Sequence, residues 1–330
     1  MPSSFDPPLS EALVSSAGEV IRAHLAPTPV IRLRLAGIER PLWAKLETVQ
    51  PTGSFKVRGA LAACAAYASE GARIVTASAG NHGLGIAYAA TLLGVHATVV
   101  VPETASPVKV ARLRSFDVDL REIGDDYDAA ERAALEIASH DGRFVSPYND
   151  PHVIAGQATV ALELLDQSAP ATVVVPVGGG GLAAGISQVL AGRAGWDVVG
   201  VEAAESRAVS AAMTAGRVVA VEVGPTIADG LAGNIESDSV TPALLTATRT
   251  PVCAAPERAI RAAVAQLATE AGLVVEGSGA VGVAALREGP VAAAADDDGP
   301  VVVILTGRNI AVPLLREILA EQQAPPSSSA

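Results

Sequence analysis

The residue with most chemical potential in this chain is a lysine placed just past a Pro/Gly/Ser turn. The stretch Pro51-Thr52-Gly53-Ser54-Phe55-Lys56-Val57-Arg58-Gly59-Ala60 opens an Ala-rich run over 60–68. Pro51 and Gly53 punctuate the chain ahead of it. Ser54 stands where an N-cap belongs, which puts Lys56 in the first turn of a helix. The positive end of the helix dipole disfavours an ammonium there, and burial disfavours it further. An amine lowered in this way is a nucleophile toward a carbonyl or a Schiff-base partner. The plain alternative is a solvated lysine on a surface helix, because lysines are mostly exposed.

Three other stretches carry complementary chemistry. Gly178-Gly179-Gly180-Gly181-Leu182 lies between a Val-rich run and a small-residue run. Consecutive glycines let backbone amides converge on an anion, and a following helix adds its dipole. That suits a phosphate; a merely flexible turn is the alternative. No Gly-Lys-Ser/Thr follows, so this is not a Walker loop. The dinucleotide spacing is absent too, although Glu202 ends the next strand and keeps a nicotinamide reading open. Ser78-Ala79-Gly80-Asn81-His82-Gly83 offers side-chain hydrogen-bonding groups and free amides at a helix start, which suits a carboxylate. His82 alone would more often cap or brace structure than catalyse. Thr306-Gly307-Arg308-Asn309 follows the last buried run. Thr306, Ser78 and Gly178 all come just after strands, where ligands bind in open α/β sheets. A lone threonine there is usually a cap or turn residue. Glu276 precedes a helix, where dipole electrostatics and a pocket role are equally open.

The elements that must position these residues follow a strand–turn–helix rhythm. Strands are expected over 30–35, 41–46, 73–77, 97–101, 119–123, 143–145, 172–177, 197–202 and 301–305. Helices are expected over 11–24, from Lys56 onward, and over 86–93, 107–116, 126–140, 157–167, 182–191, 206–215, 256–270 and 279–288. Apolar strands alternating with amphipathic helices specify α/β architecture with parallel sheets covered on both faces. The strands are too numerous for one ordinary sheet, so two units divide near residue 150. Residues 1–10 and 324–330 read as frayed, and 291–298 as a solvated linker. No repeat of fixed period is present.

The 330 residues are half hydrophobic and carry a formal net charge of -12, with no basic run. This argues against nucleic acid or an anionic membrane as partner. The apolar runs have buried-strand length rather than membrane-span length. The N-terminus shows no secretory pattern, and Cys64 and Cys253 read as two buried, reduced thiols of a cytoplasmic protein, without metal spacing.

Taken together these stretches resemble the fold-type II pyridoxal-phosphate enzymes, in particular the threonine/serine dehydratase and serine racemase group. The resemblance is carried in order by Lys45-Leu46-Glu47 through Ala60, by 78–83, by Val153-Ile154-Ala155-Gly156-Gln157, by 176–182, by Ile227-Ala228-Asp229-Gly230, by 276–280 and by 306–309. It implies two open, mostly parallel twisted sheets, with a small domain at 48–150 inserted into a large cofactor-binding domain at 1–47 and 151–330. It implies pyridoxal 5'-phosphate as cofactor, an amino-acid substrate and a homodimer or homotetramer.

By the same resemblance, Lys56 would hold the cofactor through its amine and later act as base at Cα. Phe55 would pack on the cofactor ring, and Asn81 would meet the pyridine hydroxyl. Gly178, Gly179, Gly180 and Gly181, with Leu182, would hold the phosphate. Thr306 would meet the pyridine nitrogen, and Ser78, Asn81 and His82 the substrate carboxylate. The implied reaction is β-elimination from L-threonine or L-serine, giving a 2-oxo acid and ammonia. Hydroxyaspartate, phenylserine and hydroxyectoine-catabolism dehydratases are alternatives, then a racemase, then a binding protein that keeps the fold.

Three departures from the family pattern stand out. Ala79 replaces the racemases' second acid/base, so racemisation is expected to be weak. The racemases' divalent-cation site would need an acid at Ala208 beside Glu202, which leaves no metal expected. Gly277 follows Glu276 in place of a common proline, and Arg308 replaces a common glycine. The chain stops soon after Asn309, so a regulatory domain with isoleucine feedback is not expected.

Overall fold

The computed structural model describes residues 9–288, 291 and 299–322. The fraying expected for 1–10 and 324–330, and the linker at 291–298, fall outside these residues except at Leu9, Ser10 and Val291.

The chain forms two sheets. The larger has strands β1 (Val30–Leu33), β2 (Leu42–Leu46), β7 (Thr172–Pro176), β8 (Asp197–Ala203), β9 (Val252–Ala255) and β10 (Val301–Leu305), in the order β1-β2-β10-β7-β8-β9. Only β1 runs antiparallel to its neighbour; the other pairs are parallel. The smaller has β3 (Ile74–Ala77), β4 (Ala97–Val101), β5 (Asp119–Glu122) and β6 (Arg143–Phe144), ordered β5-β4-β3-β6 and all parallel.

The apolar runs of the sequence follow from this layering. Strand β10 lies between β2 and β7 and is buried along its length. Its side chains alternate between faces. Val301, Val303 and Leu305 join the core under helices α10 (Glu257–Glu270) and α11 (Gly277–Arg287). Val302 and Ile304 join the opposite core, with α6 (Pro151–Gln167) and α7 (Gly181–Leu190). A strand covered on both faces needs apolar residues at every position, hence Val-Val-Val-Ile-Leu. In the smaller sheet, Ile74, Val99 and Val101 pack toward α2 (Lys56–Ser69) and α3 (Asn81–Leu93), while Val75, Ala77 and Val100 pack toward α5 (Tyr127–Asp141).

Helix α2 lies against α3 and α6 at spacings only small side chains permit. A Cβ on Gly156 would fall 2.5 Å from the Arg58 carbonyl oxygen and 2.8 Å from Ala62 Cβ. A Cβ on Gly85 would fall 3.1 Å from the Lys56 carbonyl oxygen. The Ala-rich composition of α2 therefore reflects close helix packing on two sides.

A buried ionic cluster ties α2 to β2 and α6. Arg58 pairs with Glu47 at 2.8 Å and with Glu163 at 2.6 Å, and Lys45 pairs with Glu163 at 2.5 Å. Thr28 donates to Glu47 and Gln167 accepts from Lys45. Burial alone would raise the Glu47 carboxyl, but the adjoining Arg58 guanidinium outweighs it and holds the group below its ordinary value.

Several expectations need correction. Helix α3 begins at Asn81, five residues before the anticipated start at 86. Its glycines serve close approach rather than a turn, since a Cβ on Gly83 would overlap the Ser78 carbonyl. Helix α6 begins at Pro151 rather than 157, because Asp150 caps it through the amides of His152 and Val153. Ser54 is not an N-cap: Phe55 occupies that position and the Ser54 hydroxyl has no hydrogen-bond partner. Strand β9, helix α9 (Thr241–Ala247) and helix α12 (Val312–Glu321) were not anticipated. Cys64 is buried, whereas Cys253 is only half-buried; both are free thiols. Among the described residues no helix is long and apolar enough to cross a membrane.

Candidate active site

Lys56 is the first residue of α2, and the loop before it is paired to the end of β10. Ser54 forms an antiparallel bridge with Gly307. The Phe55 amide donates to the Thr306 carbonyl at 3.0 Å, and the Arg308 amide to the Gly53 carbonyl at 2.9 Å. Thr306, Phe55 and Lys56 are thereby brought together. The lysine Nζ donates to the Pro147 carbonyl at 2.8 Å and lies 5.0 Å from the centre of the Phe55 ring. Desolvation pulls the amine from 10.5 down to about 8, against the opposing pull of Glu276.

The four glycines turn from β7 into α7. Among the described residues none of their amides donates to a backbone or side-chain acceptor. Gly180 adopts φ +86, which disfavours any side chain. A Cβ on Gly179 would overlap the Tyr148 ring, and one on Gly181 would fall 2.7 Å from the Tyr148 carbonyl oxygen. Thr241 of α9 donates to the Gly179 carbonyl at 2.6 Å. Four unpartnered amides at a helix start form an anion cradle. Leu182, beside them, is buried in the core.

The stretch at 78–83 lies at the C-terminal end of β3. Ser78 Oγ accepts from the Gly80 amide at 3.1 Å. Asn81 Nδ2 donates to Glu276 at 2.8 Å, and its Oδ1 accepts from Asn309 Nδ2 at 2.6 Å. The His82 ring turns inward, with Nε2 3.0 Å from the Val145 carbonyl. A carbonyl only accepts, so Nε2 carries the proton; Nδ1 is a bare, unpartnered acceptor. Burial and the nearby lysine drive this imidazole down to about 3, so it is neutral. The ring thus has no donor to spare for a carboxylate, whereas the first-turn amides of α3 have no intrahelical acceptor.

Residues outside the recognised stretches complete the site. Ser146, Tyr148 and Asn149 engage Glu236. Ser146 Oγ and Asn149 Nδ2 donate to its carboxylate at 2.5 and 2.8 Å, and its amide donates to the Tyr148 hydroxyl at 2.8 Å. This clasp holds the Pro147 carbonyl against Lys56. Glu236 lies in a segment without regular periodicity, and no sequence signal marks it. Glu202 caps α8 (Ala208–Ala215) through the amides of Val209 and Ser210; burial raises its carboxyl, and Oε2 has no partner. Among the described residues no group of three His, Cys, Asp or Glu side chains is placed to hold a metal. Arg308 donates from Nη1 to the Thr48 carbonyl, bracing the lysine loop.

A desolvated lysine, a cradle of unpartnered glycine amides and the helix start at Asn81, gathered at the strand ends of two mostly parallel sheets, define a fold-type II enzyme that works through a carbonyl cofactor carrying a phosphate. The chain belongs to the pyridoxal-phosphate dependent enzyme family, whose model matches residues 21–307. It is 38% identical over 283 residues to an L-threonine ammonia-lyase of Thermotoga maritima, covering 84% of this chain and 69% of that protein. Among solved structures it is similar to maize serine racemase, with TM-score 0.85, 27% identity and coverage of 94% and 97% of the two chains. It is also similar to a T.th. threonine deaminase, with TM-score 0.81, 34% identity and coverage of 92% and 99%.

The residues present fit pyridoxal phosphate. The glycine amides lack partners where a phosphate would supply them, and Lys56 is desolvated for condensation with the aldehyde. The orphaned Ser54 hydroxyl lies in the same loop, opposite Gly307.

Proposed function

We propose that this enzyme dehydrates and deaminates a β-hydroxy amino acid, L-threonine and/or L-serine, giving a 2-oxo acid and ammonia. The observation that carries the reading is the isolation of Lys56 as an acid/base. Ala79 has only a methyl, and His82 Nε2 is committed to a carbonyl, so neither returns a proton on the opposite face. The names of the Thermotoga maritima and T.th. proteins support the same activity.

Bound pyridoxal phosphate supplies the electron sink that acidifies the substrate Cα–H. Gly178, Gly179, Gly180, Gly181 and Leu182 would hold its phosphate, and Phe55 would pack on its ring. Asn81 would meet the ring hydroxyl and Thr306 the ring nitrogen. A hydroxyl at that nitrogen, unlike a carboxylate, does not keep it firmly protonated, which favours loss of a β-substituent over transamination. Ser78, Asn81 and the first-turn amides of α3 through His82 orient the substrate carboxylate. The Lys56 amine, near 8, is a base of suitable strength at neutral pH to take the Cα proton. A small domain at 48–150, a large one at 1–47 and 151–330, a homodimeric or homotetrameric state and a cytoplasmic location complete the reading.

The test is 2-oxo acid release from L-threonine, L-serine, 3-hydroxyaspartate and phenylserine, with the absorbance of the bound cofactor followed in parallel. Release from threonine or serine is expected, and Lys56→Ala should abolish both the release and the visible absorbance. Predominant D/L interconversion without oxo acid overturns the reading.

A further inference from the structure

Glu276 is buried beside the site, and none of the roles proposed so far uses it. It sits at the N-cap of α11, yet its side chain makes no capping bond to that helix. Both oxygens turn instead toward other loops. One accepts from Asn81 Nδ2 at 2.8 Å, and the other from the Asn309 amide at 3.1 Å. Asn309 Nδ2 closes the ring of contacts by donating to Asn81 Oδ1 at 2.6 Å and to the Thr52 carbonyl at 2.9 Å. Arg112 of α4 (Pro107–Leu113) donates to Asn309 Oδ1 at 3.0 Å.

The surrounding backbone is shaped to this cluster. A Cβ on Gly307 would overlap the Glu276 carboxylate, and one on Gly53 would fall 2.7 Å from Asn309 Oδ1. Four segments distant in sequence, at 52–53, 81, 276 and 307–309, thus meet through one carboxylate and two amides.

A primary amide presents nearly interchangeable ends, and only its partners decide which end faces where. A carboxylate accepts and cannot donate. Glu276 therefore requires Asn81 to present Nδ2 to it, which leaves Oδ1 for Asn309 and fixes the direction of the second Nδ2 hydrogen. We propose that Glu276 is a positioning residue that sets the orientation of the Asn81 amide toward the cofactor ring and locks it, through Asn309, to the loop carrying Lys56. The proposal rests on the placement of Asn81 at the ring hydroxyl made above.

The charged groups facing Glu276 are Lys56 from α2, Lys109 from α4 and Asp229 from the turn at 229–231. Burial raises the Glu276 carboxyl to about 7, with Asp229 adding to the rise. Protonation would turn one acceptor into a donor and release the constraint on Asn81.

The test is a mutant cycle on Glu276→Gln, Asn81→Ala and the double variant, read by titrating apo protein with pyridoxal phosphate and by the pH dependence of the bound cofactor's absorbance. Loss of a charge-assisted hydrogen bond should weaken cofactor binding by roughly tenfold or more in Glu276→Gln and shift its absorbance titration. If Glu276 acts through Asn81, the double variant binds within about twofold of Asn81→Ala alone. Unchanged affinity and titration in Glu276→Gln, or losses that multiply in the double variant, overturn the proposal. Should Glu276→Gln not melt cooperatively, Glu276→Asp carries the same cycle, since it keeps the acceptor-only charge one methylene short. Neither readout needs a substrate, so failure to act on threonine or serine is a separate result. Asn81→Ala with wild-type affinity and absorbance would remove the ring assignment and this proposal with it.

Discussion

At the scale of single residues, Lys56 illustrates how placement makes reactivity. Its amine is lowered by loss of solvent, and the pull of Glu276 only partly restores it. The unfolded amine, near 10.5, holds more protons than the folded one between pH 8 and 10.5. Apo protein should therefore lose stability as pH falls through that window, and Lys56→Met should flatten the dependence. In apo protein, Lys56 should condense with a small aldehyde with a rate midpoint near pH 8. A single midpoint near 10.5, measured by mass-resolved labelling, would count against the desolvated placement. Lys56 and the four glycines were legible because their chemistry is written in contiguous residues. Glu236 was not, because its partners at 146–149 lie about ninety positions away and neither segment has a periodicity to read. The His82 ring shows a finer limit: residue type suggested a donor, but the tautomer is set by the Val145 carbonyl, which only the fold brings near.

At the scale of elements, the buried strands were legible from unbroken apolar runs such as 172–177 and 301–305. Helix starts were less so. The glycines of α3 looked like punctuation, yet they lie inside a helix where Ser78 and Lys56 backbone atoms leave no room for a Cβ. The short elements α9 and β9, of seven and four residues, are too short to show a pattern. The same close packing supplies a prediction for α6. Gly156→Ala would force a methyl between the Arg58 carbonyl and Ala62. Overpacking of this kind costs about 1–3 kcal/mol, so a lowered midpoint in chemical denaturation is expected. Gly192→Ala is a suitable contrast: a Cβ there meets nothing within 4 Å, and its φ of +72 isolates the backbone term from the packing term.

At the scale of the molecule, the cluster of Lys45, Glu47, Arg58 and Glu163 holds three elements to one another: the β2 strand with the turn after it, α2 and α6. Arg58 is only two residues past Lys56, so the cluster also anchors the helix that carries Lys56. Arg58→Met would leave Glu47 fully buried without its cation. Breaking one partner of such a pair costs about 3–5 kcal/mol, and the variant should unfold at markedly lower denaturant. Replacing Arg58 and Glu47 together by apolar residues should recover much of that loss, because no uncompensated charge then remains.

The short antiparallel pairing between the lysine loop and the end of β10 has a consequence in the time domain. Loops at active sites usually exchange their amide hydrogens quickly, because they open without the rest of the fold. Here the Phe55 amide is bonded to Thr306 and the Arg308 amide to Gly53, so opening the loop means peeling it from the segment that continues β10, one of the two central strands of the larger sheet. In hydrogen–deuterium exchange the Phe55 amide should be protected to nearly the same degree as those of β10, and exchange with global unfolding. Lys56 would then sit in one of the slowest-opening parts of the enzyme, and access to its amine would come from motion elsewhere around it.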